Sequence, residues 1–281
     1  MNKIAVITGA DGGMGSEITR EVAAAGYKTI MLCQTKKKGE ERKKQIIEKT
    51  GNNDIEIKQI DLSSMSSISK LCDELLKELP SIDLLMNNAG TMCTHFKQTE
   101  EGFEYTVAVN YLAPFLLSNK LVPLMHKGSR IGNMVSCTYQ IGKVGEKFFT
   151  HGRDSKSFWR IPIYSNTKYA LWMFTYELSQ RMKDRGISVN AADPGIVSTN
   201  IIRMDMWFDF LTDIIYRPLI RTPRQGADTA IHLLLDKCYE GTTGEMFASN
   251  KQKTLKSCFK NRDTSSKLWS KTEEMLSKFL K

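Results

Sequence analysis

The stretch Val6-Ile7-Thr8-Gly9-Ala10-Asp11-Gly12-Gly13-Met14-Gly15 decides the fold. It follows an apolar run that begins at Ile4, and it precedes a helical pattern over residues 16–25. Glycines allow a sharp bend and a close approach of a diphosphate, and the free N–H groups of a helix start attract the anion. The stretch therefore predicts a phosphate-binding turn between a strand and a helix. Glycine required for turn geometry alone is the alternative interpretation.

Strand-like and helix-like segments alternate along the rest of the chain, which predicts parallel strands joined by right-handed crossovers. We expect an α/β fold of the Rossmann type, a single-domain, doubly wound sheet of about seven strands with helices on both faces. The predicted strands cover residues 3–8, 27–33, 55–60, 82–87, 130–136, 187–192 and 245–248. The predicted helices cover residues 13–26, 38–50, 64–79, 103–126, 165–185, 224–236 and 265–280. In such sheets the ligand lies at the carboxyl ends of the strands.

The length of 281 residues suits one α/β domain. We expect a dinucleotide-binding oxidoreductase domain over residues 1–249, with a substrate lobe at about 198–222, and a basic extension with a final helix over 250–281. The six cysteines form no C-x-x-C motif, so neither a metal site nor a disulfide framework is predicted. This cysteine usage favours a reducing, cytoplasmic location.

No signal peptide is expected, because the first strand begins directly after residue 3. No uninterrupted apolar run reaches the length of a transmembrane segment. Residues 103–125 come closest, and polar side chains interrupt them.

The formal net charge of +9 is concentrated in two segments, residues 36–49 and 250–281. Solvated helix faces are the favoured interpretation of the tail, so no nucleic-acid partner is expected. A peripheral contact of the tail with an acidic membrane stays open, as does a homo-oligomer. The segment 36–49 has a more specific candidate ligand, described below.

The predicted chemistry lies at Tyr164 and Lys168, which are four residues apart and therefore share a helix face. A nearby ammonium favours the phenolate and should lower the tyrosine pKa. A tyrosine tuned in this way passes a proton to or from an alcohol or carbonyl. A hydroxyl at a strand end, Ser136, would hold the same oxygen. A surface tyrosine beside a solvated lysine is the alternative.

Other strand ends carry candidate cofactor contacts. Asp61-Leu62 follows the third strand, where the carboxylate would accept a hydrogen bond from an adenine amino group; a helix cap is the alternative. Asn87-Asn88-Ala89-Gly90 follows the fourth strand, where small residues would let a flat ring lie against the backbone; simple turn chemistry is the alternative. Asp193-Pro194-Gly195 opens a tight turn after the sixth strand.

Together these motifs resemble the short-chain dehydrogenase/reductase family over essentially the whole chain. The turn at residues 8–15 matches its T-G-x-x-x-G-x-G, residues 87–90 its N-N-A-G, and residues 194–199 its P-G-x-x-x-T. Finer features resemble its retinol dehydrogenase branch: Cys33 with Lys38-Gly39-Glu40, the 27 residues between Ser136 and Tyr164, and Lys267-Leu268-Trp269. The chain departs from that branch at two positions, with Gln34 in place of arginine and Asp193 in place of histidine.

The resemblance implies a catalytic tetrad of Asn110, Ser136, Tyr164 and Lys168. Tyr164 would donate the proton in reduction, and Lys168 would lower its pKa and hold the nicotinamide ribose. Asn110 would order a water that links Lys168 to solvent; a buried asparagine beside a helix kink at Pro114 is the alternative. The implied cofactor-binding residues are Thr8, Gly9, Asp11, Gly12, Gly13, Met14, Gly15, Asp61, Leu62, Asn88, Ala89, Gly90, Tyr164, Lys168, Pro194, Gly195, Val197 and Thr199.

The predicted cofactor is NADP, with NAD as the alternative. Strand two ends without the acidic residue that would bind a ribose 2′-hydroxyl, and Lys36-Lys37-Lys38 follow directly. We therefore predict that Lys36 or a near neighbour contacts the 2′-phosphate. An exposed helix start is the alternative interpretation of these lysines.

The predicted function is an NADP-dependent oxidoreductase that interconverts an alcohol and a carbonyl on a small or apolar substrate. A catalytically silent dinucleotide-binding sensor and a sugar-nucleotide epimerase or dehydratase are the alternatives. The latter class usually has T-G-x-x-G-x-x-G spacing and a longer chain. A flexible lid over the substrate is predicted from the apolar side chains at Met204, Met206, Trp207, Phe208, Phe210, Leu211, Ile214 and Ile215.

Overall fold

A computed structural model describes residues 3–145, 148–149, 158–197 and 221–281. These residues form one sheet of eight strands in the order β3-β2-β1-β4-β5-β6-β7-β8. The strands are β1 (Ile4–Thr8), β2 (Lys28–Cys33), β3 (Ile55–Gln59), β4 (Ile82–Asn87), β5 (Met125–Met134), β6 (Ser188–Asp193), β7 (Met246–Ala248) and β8 (Lys251–Gln252). The pairs from β3 through β7 are parallel, and β8 joins β7 antiparallel. The expected doubly wound sheet is confirmed.

Helices cover both faces of the sheet. They are α1 (Gly13–Ala24), α2 (Lys36–Thr50), α3 (Met65–Glu78), α4 (Tyr105–Val107), α5 (Ala113–Leu121), α6 (Arg160–Met182), α7 (Pro223–Leu235) and α8 (Arg262–Leu280). A π-helical turn, Ala108–Leu112, joins α4 to α5. The chain direction across the sheet reverses between β1 and β4, so a crevice opens where their carboxyl ends diverge.

Successive side chains of β1 point to opposite faces of the sheet and therefore belong to two different hydrophobic clusters. Ala5 and Ile7 pack into a cluster with residues of α1 and α7. Ile4 and Val6 point to the opposite face, into a cluster with residues of α3, α5, α6 and α8. All four side chains are at most 3% exposed, which is typical of a central parallel strand covered on both sides.

The C-terminal extension belongs to this same domain. Trp269 of α8 stacks on Phe174 of α6 with ring centroids 5.7 Å apart. The Tyr111 hydroxyl and the Thr272 hydroxyl lie 2.7 Å apart, across the interface with the π-helical turn. Residues 250–281 therefore complete the hydrophobic core instead of forming a separate tail.

Several elements differ from the sequence-based expectations, and three examples are informative. The predicted helix over 103–126 is too long, because the helix gives way to a 3-10 turn at Val122–Leu124 and β5 already begins at Met125. Strand β8 was not predicted, since its two residues are exposed and polar and give no apolar signal. Helix α6 begins at Arg160, five residues before the predicted start at 165.

Within the described part of the chain, one segment, Tyr105–Leu124, is long and apolar enough to span a membrane, with a mean hydropathy of 1.2. Because 83% of that window is buried inside the protein, it serves here as a core helix. The predicted lid residues and Thr199 lie outside the described residues.

Candidate active site and cofactor cleft

The glycine turn after β1 excludes a side chain at two of its positions, Gly9 and Gly15. Gly9 has a φ of +61°, and its carbonyl oxygen accepts a hydrogen bond from the Gly12 N–H at 3.0 Å. A Cβ atom on Gly15 would lie 1.9 Å from the Gly9 oxygen, which is an impossible contact. Gly15 is therefore required by the close approach of the first turn of α1 to the end of β1.

Thr8 and Asn88 lock this turn to the end of β4. The buried Thr8 hydroxyl oxygen accepts hydrogen bonds from the N–H groups of Asn88 and Ala89, both at 3.0 Å. The Asn88 side-chain amide in turn donates to the Thr8 carbonyl oxygen at 3.0 Å. The glycine turn at residues 8–15 and the motif at residues 87–90, both predicted from the sequence, are thus joined by hydrogen bonds.

A cleft of about 490 Å³ lies at the carboxyl ends of β1 and β4. Its position is the one expected for the ligand of a doubly wound sheet. The predicted cofactor residues that line it are Gly9, Asp11, Gly12, Gly13, Met14, Gly15, Asp61, Leu62, Asn88, Ala89 and Gly90. Asp61 does not cap α3, because Ser64 does; its carboxylate accepts hydrogen bonds from the Ser63 N–H at 2.8 Å and the Ser63 hydroxyl at 2.7 Å.

The same cleft has lining residues that were not predicted: Leu32, Gln34, Arg42, Ile60, Ser63, Thr91, Tyr105 and Val109. The most informative is Arg42, an exposed residue of α2 whose guanidinium donates to the Gln45 side-chain oxygen at 2.9 Å. Lys36, the predicted phosphate contact, is exposed at the start of α2 and is not a lining residue. The only sequence signal for Arg42 was its place in the basic segment 36–49.

The proton-transfer group is built by a chain of hydroxyls. The Thr138 hydroxyl donates to the Ser136 oxygen at 3.2 Å, which leaves the Ser136 proton free for another acceptor. A hydrogen bond from Ser136 stabilises the Tyr164 phenolate and lowers the tyrosine pKa. Burial has the larger, opposite effect and raises the pKa of Tyr164 to about 12. The expected net lowering is therefore wrong for these residues, because desolvation outweighs the hydrogen bond.

Lys168 is 3% exposed, and burial lowers the pKa of its ammonium to about 8. Its Nζ donates to the Met134 carbonyl oxygen at 2.9 Å and lies 5.6 Å from the centre of the Tyr164 ring. The predicted pairing on one face of α6 is present. Lys168 is the only cation among the described groups that this geometry places against the Tyr164 ring.

Asn110 lies in the π-helical turn and is fully buried. Its amide group donates to the Thr91 carbonyl oxygen at 2.8 Å and to the Thr167 hydroxyl at 3.1 Å, while its oxygen accepts from the Thr91 N–H at 2.7 Å. It therefore ties the loop after β4 to α6. A Cβ atom on Gly90 would lie 3.3 Å from the Lys168 Nζ, so this glycine brings the cleft and the catalytic lysine together.

Two hydrogen bonds and one packing contact fix the turn after β6. The Asp193 carboxylate accepts from the Gly195 N–H at 3.0 Å, and the Arg221 guanidinium donates to the Pro194 carbonyl oxygen at 3.1 Å. Val197 packs so closely on α7 that a Cβ atom on Gly226 would lie 2.5 Å from it. Pro194, Gly195 and Val197 thus form a fixed wall, although none of them lines the described cleft.

No group of three or more histidine, cysteine, aspartate or glutamate side chains is arranged to hold a metal ion in the residues that the structure describes.

A family model for short chain dehydrogenases matches residues 3–205. The chain belongs to the short-chain dehydrogenase family. It is 31% identical to retinol dehydrogenase 12 of Bos taurus and 32% identical to retinol dehydrogenase 14 of Mus musculus, in each case over 98% of this chain and 86% of the relative. The retinol dehydrogenase-like branch is confirmed, and with it an NAD(P)-dependent oxidoreductase.

Solved structures share the fold. A protein from Mycobacterium paratuberculosis superposes with a TM-score of 0.78 at 23% identity, covering 98% of this chain and 93% of that one. A short chain dehydrogenase from Burkholderia cenocepacia, solved in complex with NADP, gives a TM-score of 0.68 at 21% identity, covering 89% and 98% of the two chains.

Proposed function

We propose that this enzyme uses NADP to interconvert an apolar alcohol and its carbonyl compound. The observation that carries the proposal is the geometry around Tyr164, where a hydroxyl chain from Ser136 and the buried Lys168 converge beside the cofactor cleft. This arrangement matches the requirements for moving a proton at an alcohol oxygen. No comparable observation among the described residues favours the two alternatives, which are a sugar-nucleotide epimerase or dehydratase and a catalytically silent dinucleotide-binding sensor.

Each residue has a distinct role in the proposed reaction. The bound cofactor supplies or accepts the hydride. Ser136 holds the substrate oxygen and Tyr164 gives it a proton during reduction. Because the Tyr164 pKa is about 12, the phenol is protonated near neutral pH and is ready to act as the acid. The charge of Lys168 offsets the phenolate that forms, and Asn110 fixes the loop that carries Gly90.

The choice of NADP has three supports. The residue that directly follows β2, Gln34, is uncharged and lines the cleft, so it does not repel a 2′-phosphate. Arg42 lines the same cleft and brings a planar guanidinium, a group suited to phosphate. Three similar structures, including the one from Burkholderia cenocepacia, contain NADP or NADPH. We therefore assign the phosphate contact to Arg42 in place of Lys36.

Exposed apolar side chains on the segments that carry the proposed catalytic groups support an apolar substrate. Four large apolar side chains of the described residues are exposed: Ile141, Trp159, Ile161 and Ile196, at 64%, 68%, 57% and 59%. Ile141 follows the Ser136 loop, Trp159 and Ile161 flank the start of α6, and Ile196 lies in the turn after β6. The relatives named retinol dehydrogenases also favour an apolar alcohol. A cytoplasmic location is part of the proposal, supported by the absence of disulfides among the six cysteines.

The proposal is tested by following NADPH oxidation with a panel of retinal, medium-chain aldehydes, ketones, quinones and a nucleotide sugar. We expect turnover with at least one apolar aldehyde or ketone, and its loss in Tyr164→Phe. NADPH binding without turnover of any carbonyl compound would favour the sensor. Conversion of the nucleotide sugar alone would favour an epimerase or dehydratase, and it must be followed by product analysis with the oxidised cofactor, because such a reaction causes no net NADPH oxidation.

A further inference from the structure

The π-helical turn Ala108–Leu112 interrupts a helix beside the active site. The Ala113 N–H donates to the carbonyl oxygen of Ala108, five residues earlier, instead of the usual four. Pro114 accounts for this interruption, because a proline has no N–H and its ring clashes with the carbonyl group four residues earlier, which here belongs to Asn110. Regular helical hydrogen bonds therefore do not fix the turn, and its side-chain contacts must do so.

On one side, Asn110 ties the turn to the backbone of the proton donor. Its amide group donates to the Thr167 hydroxyl at 3.1 Å, and the Thr167 hydroxyl donates to the Tyr164 carbonyl oxygen at 2.7 Å. Thr167 directly precedes Lys168 in α6. The Asn110 side-chain oxygen also accepts the Thr91 N–H at 2.7 Å. A displacement of the turn is therefore transmitted through two hydrogen bonds to Tyr164.

On the other side, Tyr111 ties the same turn to α8. Its hydroxyl lies 2.7 Å from the Thr272 hydroxyl, which itself donates to the Leu268 carbonyl oxygen at 2.7 Å. Because a threonine hydroxyl has a single proton, Tyr111 is the donor and Thr272 is the acceptor. Both side chains are at most 1% exposed, so water does not compete for this hydrogen bond. The contact is therefore a defined, directional link between α8 and the turn.

Helix α8 is a fixed support for this link. Near its start, the Ser265 hydroxyl lies 3.1 Å from the buried Glu177 carboxylate of α6. Near its end, the Phe279 carbonyl oxygen accepts a hydrogen bond from the Ser69 hydroxyl of α3 at 2.9 Å. Thr272 lies seven residues from each of these attachments, on the same face of the helix. The acceptor for Tyr111 is thus held in place from both directions along α8.

We propose that Thr272 is a positioning residue for the proton donor. By accepting the hydrogen bond of Tyr111, it fixes the π-helical turn, so that Asn110 keeps its hydrogen bonds to α6 and to the loop after β4. The C-terminal extension would then contribute to catalysis as well as to the core. The effect on turnover rests on the proposed function of Tyr164, whereas the effect on the hydrogen bonds of Asn110 does not.

Hydrogen exchange of the Thr91 amide in the full chain tests the structural step, because this N–H donates to Asn110. Thr272→Val removes the acceptor at nearly constant volume, and Tyr111→Phe removes the donor. In each variant we expect exchange at Thr91 to become about tenfold faster relative to the amides of β1, which corresponds to the loss of one hydrogen bond. Thr272→Ser keeps a hydroxyl and should keep the slow exchange. Ser265→Ala is the matched control on the same face of α8 and should leave exchange at Thr91 unchanged.

The double variant separates positioning from stability. Thr272→Val leaves the buried Tyr111 hydroxyl without a partner, so it should lower the unfolding midpoint more than Tyr111→Phe does. Combining the two substitutions removes the unpaired hydroxyl and should recover most of the lost stability. Turnover of the double variant at saturating NADPH and carbonyl substrate should nevertheless stay about tenfold below the wild type, because the link to the turn is still absent.

Three results would overturn the inference. They are wild-type exchange at Thr91 in both single variants, turnover that returns to the wild-type value together with stability in the double variant, and normal turnover in Thr272→Val when Tyr164→Phe is inactive. If Thr272→Val does not fold, the milder Tyr111→Phe tests the same exchange and turnover. Failure of the proposed function gives a different result, since Tyr164→Phe would then keep its turnover while exchange at Thr91 still responds to Tyr111→Phe.

Discussion

The two ends of the active-site region are constructed differently. At the catalytic end, Lys168 and Asn110 are buried, and the Asn110 side chain makes two hydrogen bonds to the loop after β4 and one to α6. At the other end, Gln34 and Arg42 are exposed, and Arg42 has one side-chain hydrogen bond to Gln45. The buried end therefore has one arrangement, whereas the exposed end is shaped by long, solvated side chains.

This difference indicates which part of the site determines catalysis and which part determines the choice of cofactor. Chemistry requires fixed distances, so it is placed on packed elements whose geometry the core determines. Recognition of a phosphate requires mainly a charge within reach, which a flexible side chain on a helix surface supplies. We infer that catalysis and cofactor choice can be altered independently, and the following predictions test that separation.

The largest effect is expected at the turn that both ends share. Gly15→Ala places a methyl group 1.9 Å from the Gly9 oxygen, so the strand end and the start of α1 must separate. We expect NADPH affinity to fall by about a hundredfold or more, as two or more anion contacts are lost. Fluorescence titration with NADPH measures this. Gly12→Ala is the matched control, because its Cβ would lie 3.2 Å from the same oxygen and should cost far less.

The next prediction concerns the buried end alone. Burial lowers the pKa of Lys168 to about 8, whereas an unfolded lysine titrates near its ordinary 10.5. Between these values the unfolded chain binds the extra proton, so the contribution of Lys168 to stability rises with pH. Relative to Lys168→Met, the free energy of unfolding of the wild type should increase by about 3 kcal/mol across this window.

Urea denaturation of both proteins at a series of pH values measures that difference. A difference that stays flat, or that falls as the pH rises, would show that Lys168 is not desolvated in the folded protein. Lys120→Met is a useful control, since Lys120 is also buried but lies 2.8 Å from the Asp73 carboxylate.

The smallest effect is expected at the exposed end. Arg42→Ala should weaken NADP binding about tenfold, the value of one charge-assisted contact, while NAD binding stays within twofold. The loss should shrink at high salt, because exposed charges are screened. Lys36→Ala is the matched control and should change neither affinity. Equal losses of NAD and NADP in Arg42→Ala would mean that the guanidinium contacts the adenosine instead of the phosphate.

This contrast also explains what could be predicted from the sequence. The glycine turn, Asn88 and the Tyr164–Lys168 pair were predictable because backbone geometry and helix periodicity restrict the residue types at those positions. The presence of Arg42 in the cleft wall was not predicted, since proximity to β2 in the sequence does not determine which side chain of α2 turns toward the cleft. The net pKa shift of Tyr164 was also missed, because desolvation depends on packing that a motif does not encode. Lys253 directly follows the two-residue strand β8, which has no apolar pattern, so its ion pair with Asp193 at 3.2 Å had no sequence signal.

The central claim is that proton transfer and cofactor choice reside in separate parts of the site. Turnover at saturating NADPH and the NADPH dissociation constant should be measured side by side in Tyr164→Phe and Arg42→Ala. We predict that Tyr164→Phe loses about 10²–10⁴-fold in turnover and keeps the wild-type NADPH dissociation constant. Arg42→Ala should keep the wild-type turnover and bind NADPH more weakly. Near-normal turnover in Tyr164→Phe, or parallel losses of turnover and affinity in both variants, would contradict the account.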